Sequence, residues 1–385
     1  MDFAWDEASD ALRAEVRAFL DEHLSSDLEN RMYQTGVSHD ESFARALGAK
    51  NWIGPEWARE GFEPFDAFGV HVLIDELTKA DAPIYLTSTS MMVARVIEAV
   101  GSQELRADIL PKVVRGEVTI ALGMSEPEAG SDVAAVRTRA RPAQGGWVID
   151  GQKMFTTNGH IADYVFLLAR TDPESERHRG LTTFLVPLHT EGFEAQAVFT
   201  VSGERTNITF YSEMFLEDRW RISEVGAGWS SLMLALQDEH SAAFSSHLHR
   251  LLDRAEAWAA EPGTDGTAPI EREEAQRRLI RAAADLEVSQ LLEVRSTWME
   301  STGEVPVAEG PMGKLYGTES VVRHSEALTA LVGPDALRSR LDPSALEGGL
   351  IEHSLRYSLG MTIYGGTSEI QRNIIAQRRC GLPRP

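Results

Sequence analysis

The sequence predicts an α+β multidomain protein, helical at both ends around a strand-rich middle. Three observations carry this. Apolar residues recur at helical spacing through residues 1–118. From about 119 to 224 they fall into short runs broken by Gly, Asp and Asn. From about 225 to 385 the helical period returns. The 385 residues exceed one simple core and suit two or three packed domains.

In the N-terminal segment, Ala11 to Leu24 carries Leu12, Val16, Phe19 and Leu20 on one helical face. Phe68 to Leu77 and Met91 to Val100 repeat the pattern. Gly101 ends the latter, and Gln103 to Val114 forms a further helix stopping near Gly116. Trp52, Trp57 and Phe62 are expected as packing anchors between helices, and Met91 and Met92 as core filling. In the middle segment, Val118 to Leu122, Tyr164 to Ala169, Leu181 to Pro187, Ile208 to Phe210 and Met214 to Leu216 have strand length and composition. Asp172 to Gly180 is a charged loop, and Asp150-Gly151 has the composition of a two-residue hairpin turn. In the last segment, Gly226-Ala227-Gly228 opens a long periodic stretch bearing Leu232 and Leu236. Glu261 to Pro269 is a loop. Ile270 to Met299 is a long helix with Leu279, Ala283, Leu286 and Leu291 on its apolar side. After a loop at Gly303 to Gly313, Lys314 to Leu331 and Leu350 to Leu359 are helical.

Composition excludes several classes. Apolar residues make up 43% and charged residues 25%, a globular balance. Basic residues number 37 against 59 acidic, a formal charge of −22, which opposes nucleic-acid binding. No apolar run is long enough to span a membrane, and Met1 to Asp10 lacks a signal peptide's basic start and apolar centre. Cys380 is the sole cysteine, so no intrachain disulfide forms and a reducing, cytoplasmic location is expected. No Cys/His cluster has metal-ligand spacing, so no metal is expected.

Three stretches carry chemistry. Leu122 to Asp132 reads L-G-M-S-E-P-E-A-G-S-D, a strand running into a turn-forming cluster. There Gly130 permits close backbone approach, and Ser131 offers a hydroxyl beside successive N–H groups. Taken alone, this is as readily an ordinary strand end. Trp147 to Asn158 reads W-V-I-D-G-Q-K-M-F-T-T-N, and its Phe155, Thr156 and Thr157 alternate an aromatic face with hydroxyls. Ile363 to Arg372 reads I-Y-G-G-T-S-E-I-Q-R.

In this order and spacing the three stretches resemble the acyl-CoA dehydrogenase family, whose motifs run S/T-E-P-x-A-G-S-D, W-x-x-x-G-x-K-x-x-x-T-N and Y-x-G-T-S-E/Q-I-Q-R. The resemblance covers nearly the whole chain and is closest in style to the actinobacterial branch acting on steroid and branched acyl groups. It implies an N-terminal helical domain (1–118), a central β barrel-like domain (119–224) and a C-terminal four-helix bundle (225–385). It implies FAD as cofactor, an acyl-CoA substrate, an electron-transfer flavoprotein as acceptor, and a homo- or hetero-oligomer, dimer or tetramer. By the resemblance, Leu122, Met124, Ser125, Gly130, Ser131, Phe155, Thr156, Thr157, Thr367 and Glu369 contact the cofactor. Ser131, Gly365 and Gly366 meet the substrate.

The family abstracts the α-proton with a carboxylate while a hydride leaves Cβ for the flavin. In many members the base is a Glu immediately before G-T-S in the third motif. Here that position is Gly365, which has no side chain. Another branch carries its Glu on the first long helix of the C-terminal domain. Glu239 matches that position, two turns beyond Leu232 on the same apolar face. Two departures accompany this. The residue after the helix carboxylate, usually Arg, is His240. Trp258 to Gly266 also lacks the Arg-x-x-Phe-Gly stretch whose Arg reaches a neighbouring subunit's FAD. The pattern resembles the branch in which two different chains pair. Two other readings therefore stand beside the dehydrogenase: a non-catalytic partner subunit of a heteromeric enzyme, and a flavin oxidase on the same fold.

Overall fold

A computed structural model describes residues 5–175, 177–238, 243–263 and 265–383. The described chain begins with helices α1 (Glu7–His23), α2 (Ser26–Thr35), α3 (Glu41–Ala49), α4 (Ala67–Lys79), α5 (Tyr85–Val100) and α6 (Gln103–Val114). Seven strands follow: β1 (Ile120–Gly123), β2 (Arg139–Ala143), β3 (Gly146–Lys153), β4 (Tyr164–Arg170), β5 (Leu181–Pro187), β6 (Phe193–Phe199) and β7 (Arg205–Glu217). The last helices are α7 (Gly228–Asp238), α8 (Ser245–Ala260), α9 (Glu273–Ser301), α10 (Glu309–Val332), α11 (Leu350–Met361) and α12 (Ser368–Arg378). The helix–sheet–helix order is the one expected.

By compactness the chain divides into two units. One comprises residues 23–63 and 83–239, the other residues 1–22, 64–82 and 240–385. The first holds the curled sheet, ordered β1-β4-β2-β3-β7-β6, with β5 also on β4. β1 runs parallel to β4 with Leu122 opposite Phe166, and β3 lies antiparallel to the long β7. β4 and β5 are buried along nearly their whole length, as their unbroken apolar runs require. Trp52 is buried, Trp57 and Phe62 are half-buried, and Met91 and Met92 lie in the interior. In the second unit, α8, α9, α10 and α11 close around Leu248, Leu251, Leu279, Val321, Leu328 and Ile351.

Several expectations are corrected. Asp150-Gly151 is not a turn; it lies inside β3 at a bulge, and the β2–β3 hairpin turns at Gln144-Gly145, with Gly145 at φ +80°. Gly151 is required because a Cβ there would stand 2.6 Å from the Thr138 hydroxyl. Asp150 instead accepts from the Glu213 N–H at 2.8 Å and from Arg141. The helices α2 and α3 were not foreseen; their Ser25 and Asp40 N-caps, accepting from Leu28 and Phe43 N–H, were the available signals. The strand β6 was also missed. Beyond Gly228 the described residues form α7 and α8, and at the start of α8 the Ser245 N–H donates to the Glu293 carboxyl of α9 at 2.8 Å. On α9, Leu279 and Leu286 are buried as expected. Ala283 and Leu291 are exposed instead, for the buried stripe follows Ala275, Leu279, Ala282, Leu286 and Ser289.

Candidate active site

The first motif leaves β1 at Gly123 and enters a tight loop closed by reciprocal bonds between Glu126 and Ala129, N–H to O at 3.0 and 3.1 Å. Met124 and Ser125 are half-buried, while Gly130 and Ser131 lie at the surface. A Cβ at Gly130 would meet no protein atom within 4 Å, so the fold itself makes no demand for glycine there. Leu122 is half-buried within β1.

Two charged residues inside the motifs hold this loop. Glu126 is buried, and its carboxylate accepts from the N–H groups of Arg137 at 2.7 Å and Thr138 at 2.9 Å. Lys153, at the end of β3, is completely buried and donates to Glu126 at 2.8 Å and to the Met124 carbonyl at 3.1 Å. Met154 N–H donates to the Ser125 carbonyl at 2.9 Å. The first and second motifs are thus hydrogen-bonded to each other. Burial lowers Lys153 to about 8 against the pull of Glu126. Burial also works to raise Glu126, but the Lys153 charge and its hydrogen bond hold this carboxylate below the ordinary range. Sequence reasoning passed over both residues, although a Lys and a Glu within otherwise packed strand ends were a legible signal.

Beyond Lys153 the chain turns sharply. Phe155 has φ +63°, a left-handed conformation uncommon for an aromatic residue, and 58% of its surface is exposed. The strained backbone holds a large apolar ring outward rather than in the core. Thr156 is fully buried; its N–H donates to Asn207 O at 2.9 Å and its hydroxyl pairs with that of Thr209 at 3.2 Å. The Thr157 hydroxyl, half-buried, donates to that of Thr206 at 3.2 Å. Of this trio, then, Phe155 and Thr157 reach the surface, and Thr156 braces them from within.

The third motif lies in the other unit, between α11 and α12. Gly365 and Gly366 have φ of +65° and +83°, which glycine alone adopts at little cost. Thr367 caps α12, its hydroxyl accepting from Ile370 N–H at 3.3 Å. Glu369 is exposed on the first turn of α12, where an acid is favourable. The hydrogen bonds to its own N–H and to Thr367 lower its pKa. Glu239 and His240 lie outside the described residues.

Comparison with known proteins agrees with this arrangement. Models of the acyl-CoA dehydrogenase N-terminal, middle and C-terminal domains match residues 6–117, 121–218 and 226–379. The acyl-CoA dehydrogenase FadE26 of Mycobacterium tuberculosis is 33% identical over 390 residues, covering 97% of this chain and 96% of that protein. A chain of the ChsE4–ChsE5 complex from Mycobacterium tuberculosis superposes with a TM-score of 0.92 at 30% identity over 100% of both chains. The FAD complex of PigA superposes with a TM-score of 0.87 at 25% identity, covering 99% of this chain and 100% of that one.

The fold and its motifs define a flavin-dependent oxidoreductase acting on acyl-CoA thioesters. The chain belongs to the acyl-CoA dehydrogenase family. FAD is its cofactor, and the residues present fit it: an outward aromatic ring at Phe155, and an open glycine at Gly130 beside the Ser131 hydroxyl. Among the described residues no helix is long and apolar enough to cross a membrane, and no His/Cys/Asp/Glu group could hold a metal ion.

Proposed function

We propose that the chain catalyses α,β-dehydrogenation of a bulky acyl-CoA thioester, steroid or branched, to the trans-2-enoyl-CoA. The observation that carries this reading is the Gly365-Gly366 turn. Gly365 stands where many family members place a carboxylate and, like Gly366, has positive φ, so no side chain takes up room above the turn. We assign Met124, Ser125, Gly130, Ser131, Phe155 and Thr157 to the flavin side, with Leu122 and Thr156 as their support. Thr367 and Glu369 are assigned to the cofactor from α12. Ser131, Gly365 and Gly366 face the thioester.

When bound, FAD supplies the two-electron acceptor for the hydride that leaves Cβ. The chain's own residues do the rest. The Glu239 carboxylate takes the α-proton. The Gly365 N–H donates to the thioester oxygen, where negative charge grows as that proton leaves. The Phe155 ring covers an apolar face and keeps water out. An electron-transfer flavoprotein is the proposed acceptor, the cytoplasm the proposed location, and 118/119 and 224/225 the proposed domain boundaries.

An oligomer is proposed as well. Ile280, Val288 and Leu291 lie exposed along one side of α9, an apolar strip suited to a neighbouring subunit. The heteromeric ChsE4–ChsE5 relative and the missing Arg at Trp258 to Gly266 support a second reading, in which a different chain completes the flavin site. Mixing the purified protein with straight-chain, branched and steroid-CoA thioesters tests the reaction. Loss of the flavin's visible absorbance with a bulky thioester supports it. A protein purified without flavin, gaining it only with a co-expressed homologue, supports the second reading. Oxygen consumption without another acceptor would support an oxidase instead.

A further inference from the structure

The loop of the third motif is held from beneath by two buried side chains, Lys314 and Gln371. Lys314 projects from α10 with 1% of its surface exposed. Its ammonium donates to the carbonyls of Tyr364 and Gly366. Gln371 of α12 is equally buried, and its amide nitrogen donates to the carbonyls of Gly365 at 2.9 Å and Gly366 at 3.3 Å. Three successive carbonyls are thus turned toward one buried cation and one amide.

A trans peptide sets each C=O antiparallel to the next residue's N–H. Fixing the carbonyls of Tyr364, Gly365 and Gly366 therefore turns the N–H groups of Gly365, Gly366 and Thr367 away from Lys314, to the opposite side of the loop. Among the described residues none of these three N–H groups donates a hydrogen bond. Consecutive free N–H groups over a positive-φ turn form a concave anion-receiving site. The ammonium on the carbonyl side also polarises the peptides, making their N–H groups stronger donors. The clamp has little slack, for a Cβ added at Gly366 would stand 2.9 Å from the Gln371 amide nitrogen.

We propose that Lys314 and Gln371 are positioning residues for the reaction: they orient and polarise the Gly365–Thr367 N–H groups that receive the thioester oxygen. This rests on the thioester reading given above. The residues touch no reacting atom in this assignment. They act through the loop, compensating for the absent carboxylate side chain by fixing a backbone that two glycines would leave free.

The test uses flavin-loaded protein and whichever thioester of the panel reduces the wild-type flavin fastest. In Lys314→Met, the single-turnover rate of flavin reduction is expected to fall on the order of 10²-fold. The thioester Kd, read from the change in flavin absorbance, should shift by less than about threefold. Lys314→Arg, which keeps charge and donors, should recover most of the rate. Infrared difference spectra of the bound thioester give a readout apart from turnover. The carbonyl stretch, lowered in the wild type, should move back toward its value in water in Lys314→Met. If Lys314→Met does not fold, Gln371→Leu removes the neutral donor alone and should slow reduction by roughly tenfold. A rate per flavin equal to wild type, or a carbonyl stretch that does not move, overturns the proposal. A wild type that no thioester reduces overturns the underlying reading, and this inference with it.

Discussion

Replacing Lys153 with methionine tests the clamp that joins the first two motifs. Methionine fills a similar volume, so the change removes charge and donors more than packing. Glu126 would keep the N–H groups of Arg137 and Thr138 but lose its cation. Breaking a buried pair in this way destabilises by about 3–5 kcal/mol. Protonation of Glu126 sets a ceiling. For a carboxyl with the ordinary pKa of 4.5, taking up a proton near pH 7 costs about 3.4 kcal/mol, and near pH 5.5 about 1.4 kcal/mol. In the wild type, Glu126 is held below 4.5 and stays ionised across that window, so the pH dependence belongs to the variant. Lys153→Met should therefore lose about 3 kcal/mol near pH 7 but only about 1.4 kcal/mol near pH 5.5. The double variant with Glu126→Gln carries no buried charge, and its difference from Lys153→Met should vanish on acidification. Urea unfolding followed by circular dichroism at the two pH values gives these differences, and flavin content should fall with the loss of the Met124 carbonyl's donor. Equal destabilisation at both pH values, or no relief from Glu126→Gln, would refute the reasoning.

Three further outcomes are expected. Burial, with the Asp75 charge adding to it, pushes Glu293 up to about 8. Its folded-state pKa thus exceeds the ordinary 4.5, so its contribution is complete below 4.5 and is lost as pH rises toward 8. Glu293→Gln should gain on the wild type over that range by up to about 1.4 kcal/mol per pH unit, read as a growing difference in Tm. Glu239→Gln should slow single-turnover flavin reduction by on the order of 10² to 10⁴ with flavin content unchanged, while Asp238→Asn stays active; wild-type reduction in Glu239→Gln would move the base elsewhere. Ile280→Asp combined with Val288→Asp should shift the particle to lower mass by light scattering at micromolar concentration, and an unchanged mass would exclude the α9 strip as an interface.

The sequence alone determined the helix–strand–helix order and the family. These are local properties. Leu181 to Pro187 is a strand because an unbroken apolar run is buried on both faces, and Gln103 to Val114 is a helix because Ser102 caps it. Gly365, Gly366 and Thr367 were legible through the motif Y-G-G-T-S, and the structure makes them a turn at positive φ followed by the cap of α12. What surrounds those motifs was decided only by tertiary structure. Lys314 stands about fifty positions before the carbonyls it holds, and Glu126 lies well ahead of Lys153, so neither pair has a spacing to read. Asp150-Gly151 has the composition of a turn, yet pairing with β7 and the nearness of Thr138 make it a bulge within a strand. Likewise α4 joins α8 and α9 across more than 150 residues, where Asp75 accepts from the Ser246 hydroxyl at 2.6 Å. Such contacts depend on which surfaces the folded chain brings together, and a buried charge discloses its partner only when the residue that satisfies it has been placed in space.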